Sequence, residues 1–378
     1  MPFRNRNLRL VITAEDSQFD ATILDHWKDE GYAVTYLAMD NLEEKEYRNR
    51  LMREADGLDL GEKYAIVAFG DAALAALNIC FKPMPKLCAL VAYYPPSLPS
   101  FSIGYPSTIR VLVHLPGQNP KVDRVTSYSY PDAQPGFAER DMEEWEPVSA
   151  DLAWGRSVAC VRKQFDIEVD LESVWEEHLA LEFTNRNADA TMRTMVPQPY
   201  VNHIPTITGG IGYDDLYRFY RDFFIPNNPP SLKMRLLSRT IGTTRIVDEM
   251  LASFQHTTEI PWLLPGVDPT NRWVEIALVS IVQIRGGKLC HEHIYWDQAS
   301  VLVQIGLLDP ETTLENGLRL PVFGREAARK VLNKDEIESN DLIDDWWSSG
   351  EDEDGEDANG EETDVDPEQR GRSVTVRR

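Results

Sequence analysis

The first 165 residues alternate short apolar runs with helical segments, and this alternation limits the possible folds more than any other feature. The runs are rich in β-branched residues, which is typical of strands buried on both faces. They read LRLVITA, AVTYLAM, KYAIVAF, CALVAYY and IRVLVHL. Buried strands separated by helices predict an α/β domain over residues 1–165, with a mostly parallel sheet covered by helices on both sides.

A different pattern begins near residue 166. Two amphipathic helices, ESVWEEHLALEF and YDDLYRFYRDFF, come first, and long strand-like segments joined by turns follow, ending in KLCHEHIYWDQA. Helices followed by strands with no helix between them predict an α+β domain. We place it at residues 166–335 and expect a bent antiparallel sheet wrapped around the helices.

The net charge of −24 is unevenly distributed along the chain. Residues 335–378 contain 17 acidic and 4 basic residues, whereas the preceding chain is only mildly acidic. A segment so charged and so poor in apolar residues cannot repay the entropy of ordering, so we expect a disordered acidic tail over residues 336–378. No basic stripe is available for phosphates, so we expect no nucleic-acid partner.

The remaining composition predicts a cytoplasmic protein without a membrane segment. No apolar run approaches the roughly 18 residues that a membrane span requires. The four cysteines, Cys80, Cys88, Cys160 and Cys290, form no C-x-x-C pair and have no histidine at zinc-ligand spacing. They therefore argue against a disulfide framework and against a structural zinc site, and we expect neither metal nor cofactor.

Residues 128–165 carry a resemblance to a known family. The segment YPDAQPGF, followed by a helix that contains Ala and Trp, resembles the Tyr-Pro-Gly-Ala-x-His-Gly-Phe pattern and final helix of dienelactone hydrolases. These enzymes are α/β-hydrolases. The resemblance covers about residues 8–165 and implies that fold, with its first strands missing.

The catalytic positions of this family do not match. An α/β-hydrolase needs Ser or Cys at a sharp strand-to-helix turn, and Gly70 stands there in AFGDAA. Asn119 replaces the triad Asp, and Pro135 replaces the triad His. We therefore expect no triad hydrolase activity and interpret this half as a scaffold or dimerisation domain, with a misaligned active site as the alternative.

The C-terminal half carries a second resemblance. Residues 286–310, GGKLCHEHIYWDQASVLVQIGLLDP, resemble the Gly-Lys turn, strand, short helix and Gln-x-Gly-Leu motif of SnoaL-like proteins. The segment VPQPYVNHIPTITGGIGYDDLYRFY supports the match. SnoaL-like proteins form a branch of the NTF2-like superfamily, and the resemblance implies helices packed in a bent antiparallel sheet. It also implies proton transfer by a carboxylate, without metal or cofactor.

The candidate catalytic residues lie on the predicted strands. Alternation along the last strand places on one face a polar row formed by His291, His293, Tyr295 and Asp297. If this row faces the interior, burial would shift the pKa values of its carboxylate and imidazoles toward neutrality. We expect Asp297 to act as the base and His293 or His203 to orient a group or donate a proton. Asp248 and His256 are further candidates, and a solvent-facing structural His–Asp pair is the alternative.

Three functions remain open from the sequence. The leading one is a SnoaL-like isomerase, cyclase or dehydratase that acts on a small, polyketide-like substrate. The second is a non-enzymatic ligand-binding or assembly protein. The third is an ester or lactone hydrolase that uses the first domain. We expect a small-molecule partner and a homodimer formed through the C-terminal sheet.

Overall fold

The computed structural model describes residues 8–100, 104–313, 317, 319–343 and 346. Over these ranges the chain forms two separate six-stranded sheets. None of the helices found there has the length and apolar character needed to cross a membrane. Most of the acidic tail predicted over residues 336–378 lies outside the described residues.

The first sheet is parallel throughout. Its strands are β1 (Arg9–Ala14), β2 (Ala33–Ala38), β3 (Tyr64–Phe69), β4 (Leu87–Tyr93), β5 (Arg110–Pro116) and β6 (Thr126–Tyr130). They lie in the order β2-β1-β3-β4-β5-β6, with every neighbouring pair parallel. The parallel sheet predicted from the apolar runs is therefore confirmed. The sequence reasoning missed β6, because its polar sequence TSYSY lacks the apolar run that marks the other strands.

Four helices cover both faces of this sheet. They are α1 (Ala21–Asp29), α2 (Glu44–Arg53), α3 (Gly70–Ile79) and α4 (Pro147–Phe165). One apolar cluster packs α1 and α4 on one face, around Trp27 and Phe137, and a second packs α2 and α3 on the other, around Tyr47 and Leu77. The odd and even residues of the strands divide between these two clusters, as strand geometry requires.

The second domain begins with helices. These are α5 (Leu171–Leu179) and α6 (Ala188–Arg193). The helix α7 (Tyr213–Arg218) comes after the first two strands, and α8 (Gln298–Ile305) and α9 (Arg325–Leu332) follow the sheet. The strands are β7 (Met195–His203), β8 (Thr208–Ile211), β9 (Lys233–Ile241), β10 (Arg245–Gln255), β11 (Trp273–Arg285) and β12 (Lys288–Trp296). A single apolar core joins α5 and α7 to the inner face of β10, β11 and β12.

The second sheet is mixed, so the prediction of a purely antiparallel sheet is wrong. Its order is β8-β7-β12-β11-β10-β9, and β12 pairs with β7 in parallel while the other pairs are antiparallel. Strands joined by a short turn must run antiparallel. The strands β7 and β12 are separated by several other elements, so chain connectivity does not fix their relative direction.

Polar contacts join the two domains at the turns of the second sheet. Asp151 of α4 accepts hydrogen bonds from Gln283 (2.8 Å) and from Arg245. Arg162, also on α4, forms a buried ion pair with Glu30 and donates to the backbone oxygen of Thr243 at 2.6 Å. One guanidinium thus neutralises a buried carboxylate and holds the β9–β10 turn against the first domain.

We expect Arg162→Leu to lower the free energy of unfolding by about 3 kcal/mol, because it leaves the carboxylate of Glu30 buried without its partner. The exposed ion pair between Arg50 and Glu46 is the matched control, and Arg50→Leu should cost no more than about 0.5 kcal/mol. Denaturant titration of both variants measures the difference. Equal costs would show that the buried pair does not stabilise the fold.

Candidate functional site

A cavity of about 570 Å³ lies inside the second domain, between its helices and the inner face of its sheet. We call it the C-terminal cavity. Most of its lining is apolar or aromatic and includes Trp175, Phe224, Met250, Trp262, Leu278 and Ile294. An enclosed apolar space with a few polar groups is typical of small-molecule sites.

Two helices change their winding where they line this cavity. The helix α5 continues into a π-helical turn at Ala180–Thr184, and α7 continues into another at Phe219–Phe224. Each turn contributes polar and apolar lining residues, including Glu182 and Tyr220. Because π-helical turns are rare and often occur at functional sites, their pairing around one cavity marks it as the candidate site.

A histidine and a glutamate form a buried pair at the edge of the site, and of the two Glu182 lines the cavity. His178 and Glu182 lie one helical turn apart, both almost fully buried, and the Nε2 and Oε1 atoms are 2.9 Å apart in an ion-pair contact. The Nδ1 atom of His178 lies 2.6 Å from the hydroxyl of Thr194. Burial lowers the pKa of His178, but the carboxylates of Glu182 and Glu292 raise it by more, so the net pKa is above the ordinary value.

Glu292 on β12 is the second carboxyl group of the site. Its Oε1 atom accepts a hydrogen bond from Ser280 at 2.8 Å. No group among the described residues bonds Oε2, which borders the open volume of the cavity. Burial and the neighbouring charge of Glu182 raise the pKa of Glu292 to about 7, although His178 and Ser280 oppose this. At neutral pH this carboxyl group can therefore both take up and release a proton.

Two further polar side chains complete the lining. Burial raises the pKa of Tyr220 well above its ordinary value, and the charges of Glu182 and Glu292 raise it further, so its phenol stays protonated. Burial lowers the pKa of His203 to about 4, so its imidazole stays neutral. The site thus contains a carboxyl group that titrates near neutrality, Glu292, beside a neutral imidazole, His203, and a protonated phenol, Tyr220.

The polar row of β12 faces away from this cavity, so the interior position considered for it from the sequence is not observed. Asp297 is exposed and caps α8, where its Oδ1 atom accepts from the backbone N–H of Ala299 at 2.9 Å. His293 is half-buried, with its Nε2 atom 3.0 Å from that of His291. The alternation itself is correct, but the opposite face, which carries Glu292, points inward. The catalytic roles predicted for Asp297 and His293 remain untested.

Asp248 lies beside the cavity without lining it. Its carboxylate accepts two hydrogen bonds from Arg239 at 2.8 Å each and one from the indole N–H of Trp175, also at 2.8 Å. Arg239 also binds Glu172 and Glu176 on α5. This network fixes the indole that forms part of the cavity wall, so the geometry gives Asp248 a positioning role.

His256 and His203, the remaining predicted residues, lie in different surroundings. His203 lines the cavity. His256 is buried beyond the end of β10, where Nδ1 accepts from the backbone N–H of Thr270 at 3.3 Å and lies 3.1 Å from its hydroxyl. It does not line the cavity, and the structure places it with the loop before β11.

The sequence reasoning did not select His178, Glu182 or Glu292 as site residues, although a signal for the first two was present. His178 and Glu182 occupy the apolar face of an amphipathic helix, four residues apart, where an ordinary helix would carry apolar side chains. Glu292 carried no comparable signal, because periodicity gives the two faces of a strand but not the direction that each one points.

The first domain has no nucleophile at the strand-to-helix turn after β3. Gly70 has φ +54°, a left-handed conformation that matches the sharp turn expected there. The carboxylate of Glu15 accepts from the backbone N–H of Asp71 and occupies the space that a side chain at Gly70 would need. His114 is fully buried on β5, bonded to Tyr130 and Ser157 at 2.8 and 2.9 Å, so it cannot serve as an accessible base.

Comparisons with known proteins give only distant likenesses. No family model and no curated protein match the sequence. Among solved structures, TsrD from Streptomyces laurentii is 16% identical, with a TM-score of 0.31, over 37% of this chain and 100% of that one.

Two other solved structures are similarly distant. A candidate SnoaL-like polyketide cyclase from Jannaschia sp. CCS1 is 16% identical, with a TM-score of 0.30, over 38% of this chain and 98% of that one. An NTF2-like protein from Burkholderia thailandensis E264 is 14% identical, with a TM-score of 0.28, over 37% and 99%. Values this low do not assign a fold or a function, so the site must be judged on its own side chains.

Within the described ranges, no three His, Cys, Asp or Glu side chains are grouped where they could hold a metal ion. The close pair His291 and His293 has no third such ligand beside it.

We expect Gly70→Ala to destabilise the protein by about 3 kcal/mol, because a Cβ there adds left-handed strain and collides with the carboxylate of Glu15. Gly57 is the matched control, since its φ of +75° is also left-handed but no atom lies within 4 Å of an added Cβ. Gly57→Ala should cost about 1 kcal/mol. Thermal unfolding of both variants tests this, and equal shifts would contradict the steric contact.

Proposed function

We propose that the second domain is a SnoaL-like acid–base catalyst that moves protons within a small, largely apolar carbonyl compound, with Glu292 as the base. The observation that carries this proposal is the state of the Glu292 carboxyl group. One oxygen is fixed by Ser280, the other borders the cavity, and its pKa of about 7 suits proton transfer at neutral pH. The cavity supplies the low-polarity surroundings that such a transfer requires.

The step needs no group other than those in the cavity. The Glu292 carboxylate takes a proton from the carbon next to a substrate carbonyl, and the electron pair of that C–H bond moves onto the carbonyl oxygen as an enolate forms. When the substrate is a β,γ-unsaturated carbonyl compound, this enolate is a dienolate, and the protonated Glu292 returns the proton to its γ carbon while the double bond moves into conjugation with the carbonyl group. The carboxylate is regenerated, and the net change is an isomerisation.

Glu182 and Tyr220, which line the cavity, and His178 behind them support this function through charge. The negative charge of Glu182 raises the pKa of Glu292, and His178 balances part of that charge. Without this arrangement a solvated Glu292 would be fully ionised at neutral pH and a weaker base. The neutral phenol of Tyr220 adds a polar group on the same wall.

A non-enzymatic ligand-binding protein is the second candidate. The same cavity supports it, because binding needs the apolar lining and not the titration of Glu292. Replacing the carboxyl group of Glu292 by an amide therefore distinguishes the two candidates. The change abolishes proton transfer but leaves intact the apolar lining that binding needs.

We expect Glu292→Gln to lower the rate of deuterium uptake from D₂O into a bound methyl ketone by at least about 100-fold, because the amide cannot accept the proton. The probe is acetylnaphthalene, whose size suits the cavity, and NMR follows the exchange. Asp297→Asn is the matched control and should change the rate by less than about twofold, because Asp297 caps α8 outside the cavity.

The pH dependence provides a second readout of the same prediction. Because the active form of Glu292 is the carboxylate and its pKa is about 7, the exchange rate should rise with pH and level off above that value. The rise should vanish in Glu292→Gln. A loss of exchange in Asp297→Asn, with Glu292→Gln unaffected, would instead support Asp297 as the base.

The homodimer predicted from the sequence is kept as a proposal. Exposed apolar side chains on β9, namely Met234, Leu236 and Ile241, and the exposed Tyr295 on β12 belong to the second sheet. We expect sedimentation equilibrium to give twice the 43.1 kDa chain mass, and Leu236→Glu should shift the protein toward monomer. A monomer at all concentrations would contradict this proposal.

A further inference from the structure

His203 lies at the end of β7 in a largely aromatic part of the C-terminal cavity. The side chain is only 3% exposed. Four aromatic rings surround it with centroid distances of 5.1–6.0 Å, those of Phe219, Phe224, Trp262 and Trp296. These rings fix the plane of the imidazole and exclude water from its sides.

The hydrogen bonding of His203 determines which ring nitrogen carries the proton. Its Nδ1 atom lies 3.1 Å from the backbone oxygen of Thr208. A carbonyl oxygen only accepts hydrogen bonds, so Nδ1 must be the donor. Burial lowers the pKa of His203 to about 4, although the Thr208 carbonyl and Glu182 oppose the shift, and the ring is therefore neutral. Consequently Nε2 carries a lone pair and can only accept.

This lone pair has no partner in the part of the chain that the structure describes. Nε2 is not fully enclosed by protein atoms. Because His203 lines the cavity, we infer that Nε2 faces its open volume. An apolar ligand group placed against Nε2 excludes water and leaves this acceptor without a donor, at a cost of about 1–3 kcal/mol. A ligand group that donates to Nε2 avoids this cost.

We propose that His203 is a specificity-determining residue that accepts a hydrogen bond from a hydroxyl group of the ligand. Together with the proposed function of Glu292, on which this inference rests, it defines the substrate class as a neutral hydroxylated carbonyl compound. The hydroxyl binds at His203, and the carbon that exchanges its proton lies at Glu292. His203 does not donate a proton in this arrangement, so of the two roles considered for it from the sequence, this proposal keeps the orienting one.

The register of the sheet sets the separation of the two groups. His203 pairs with Ile294 on β12, two residues along from Glu292, and both side chains line the same cavity. Neighbouring strands are about 4.8 Å apart and rise about 3.3 Å per residue, so the two Cα atoms are separated by roughly 8 Å. One ligand ring system can therefore present a hydroxyl to one residue and a carbonyl segment to the other.

The charges around the cavity favour a neutral ligand over an anion. Its walls already contain the two carboxyl groups of Glu182 and Glu292, with His178 as the balancing group. Arg186 is exposed at the mouth, where its guanidinium donates to the backbone oxygens of Ile225 and Asn228. A carboxylate or phosphate placed beside Glu182 and Glu292 would meet groups of its own charge and lose its hydration, at a high desolvation cost.

The test compares pairs of acetylnaphthalenes that differ only in a distal hydroxyl or methyl group, titrated into the full-length protein by isothermal calorimetry. The wild type should bind the hydroxylated member roughly tenfold more tightly. His203→Phe keeps an aromatic ring in place but removes the acceptor, so the preference should disappear while the methyl analogue binds as before. His203→Gln restores an acceptor oxygen and should recover part of the preference.

His256→Phe is the matched control, because His256 is also buried but lies outside the cavity, and the hydroxyl preference should persist in it. The proposal is overturned if the wild type shows no hydroxyl preference in any pair, if it binds neither member, or if His203→Phe retains the preference. Deuterium exchange with Glu292→Gln separates the two ideas. A hydroxyl preference without Glu292-dependent exchange would reject the proposed catalysis and keep the recognition by His203. Glu292-dependent exchange without the preference would reject the recognition by His203 and keep the proposed catalysis.

Discussion

The burial of ionisable groups on one wall of an apolar cavity is the constraint on which the candidate site depends. Burial and the neighbouring charge of Glu182 raise the pKa of Glu292 there. His178 compensates for one charge, and the remaining balance leaves Glu292 with a pKa of about 7. The reactivity proposed for Glu292 thus depends on His178 and Glu182 as well as on its own carboxyl group.

Local helix geometry departs from the regular pattern where two helices line the cavity. The π-helical turns at Ala180–Thr184 and Phe219–Phe224 place Glu182 and Tyr220 at the wall. The network of Asp248, Arg239 and Trp175 then fixes α5 against β9 and β10. Asp248 and Arg239, which do not line the cavity, therefore help to fix the wall residue Trp175 in place.

The first domain contributes differently. Its nucleophile position is Gly70, the space beside that residue is filled by Glu15, and its buried histidine is bonded inside the core. Arg162 and Asp151 on α4 instead contact the turns of the second sheet. These contacts are consistent with the scaffold interpretation, since they stabilise the end of the sheet that carries Glu292.

Much of the fold follows from local sequence. The apolar runs of the first domain determined a parallel sheet covered on both faces, because only a doubly covered strand can be apolar on both sides. The two amphipathic helices of the second domain were also predictable from their spacing. The parallel pairing of β7 with β12 was not, since it joins segments far apart in the chain and no turn dictates its direction.

The sequence by itself determined that β12 has one face with His291, His293 and Tyr295 and another with Glu292 and Ile294. Only the tertiary structure decided which face points into the cavity, because a strand with polar residues on both faces can pack either way until the helices are in place. For the same reason, only the tertiary structure could show that Asp297 is a helix cap and that Glu292 is the buried carboxyl group. Periodicity is a local property, whereas burial and the pKa shifts that follow from it depend on contacts between distant segments.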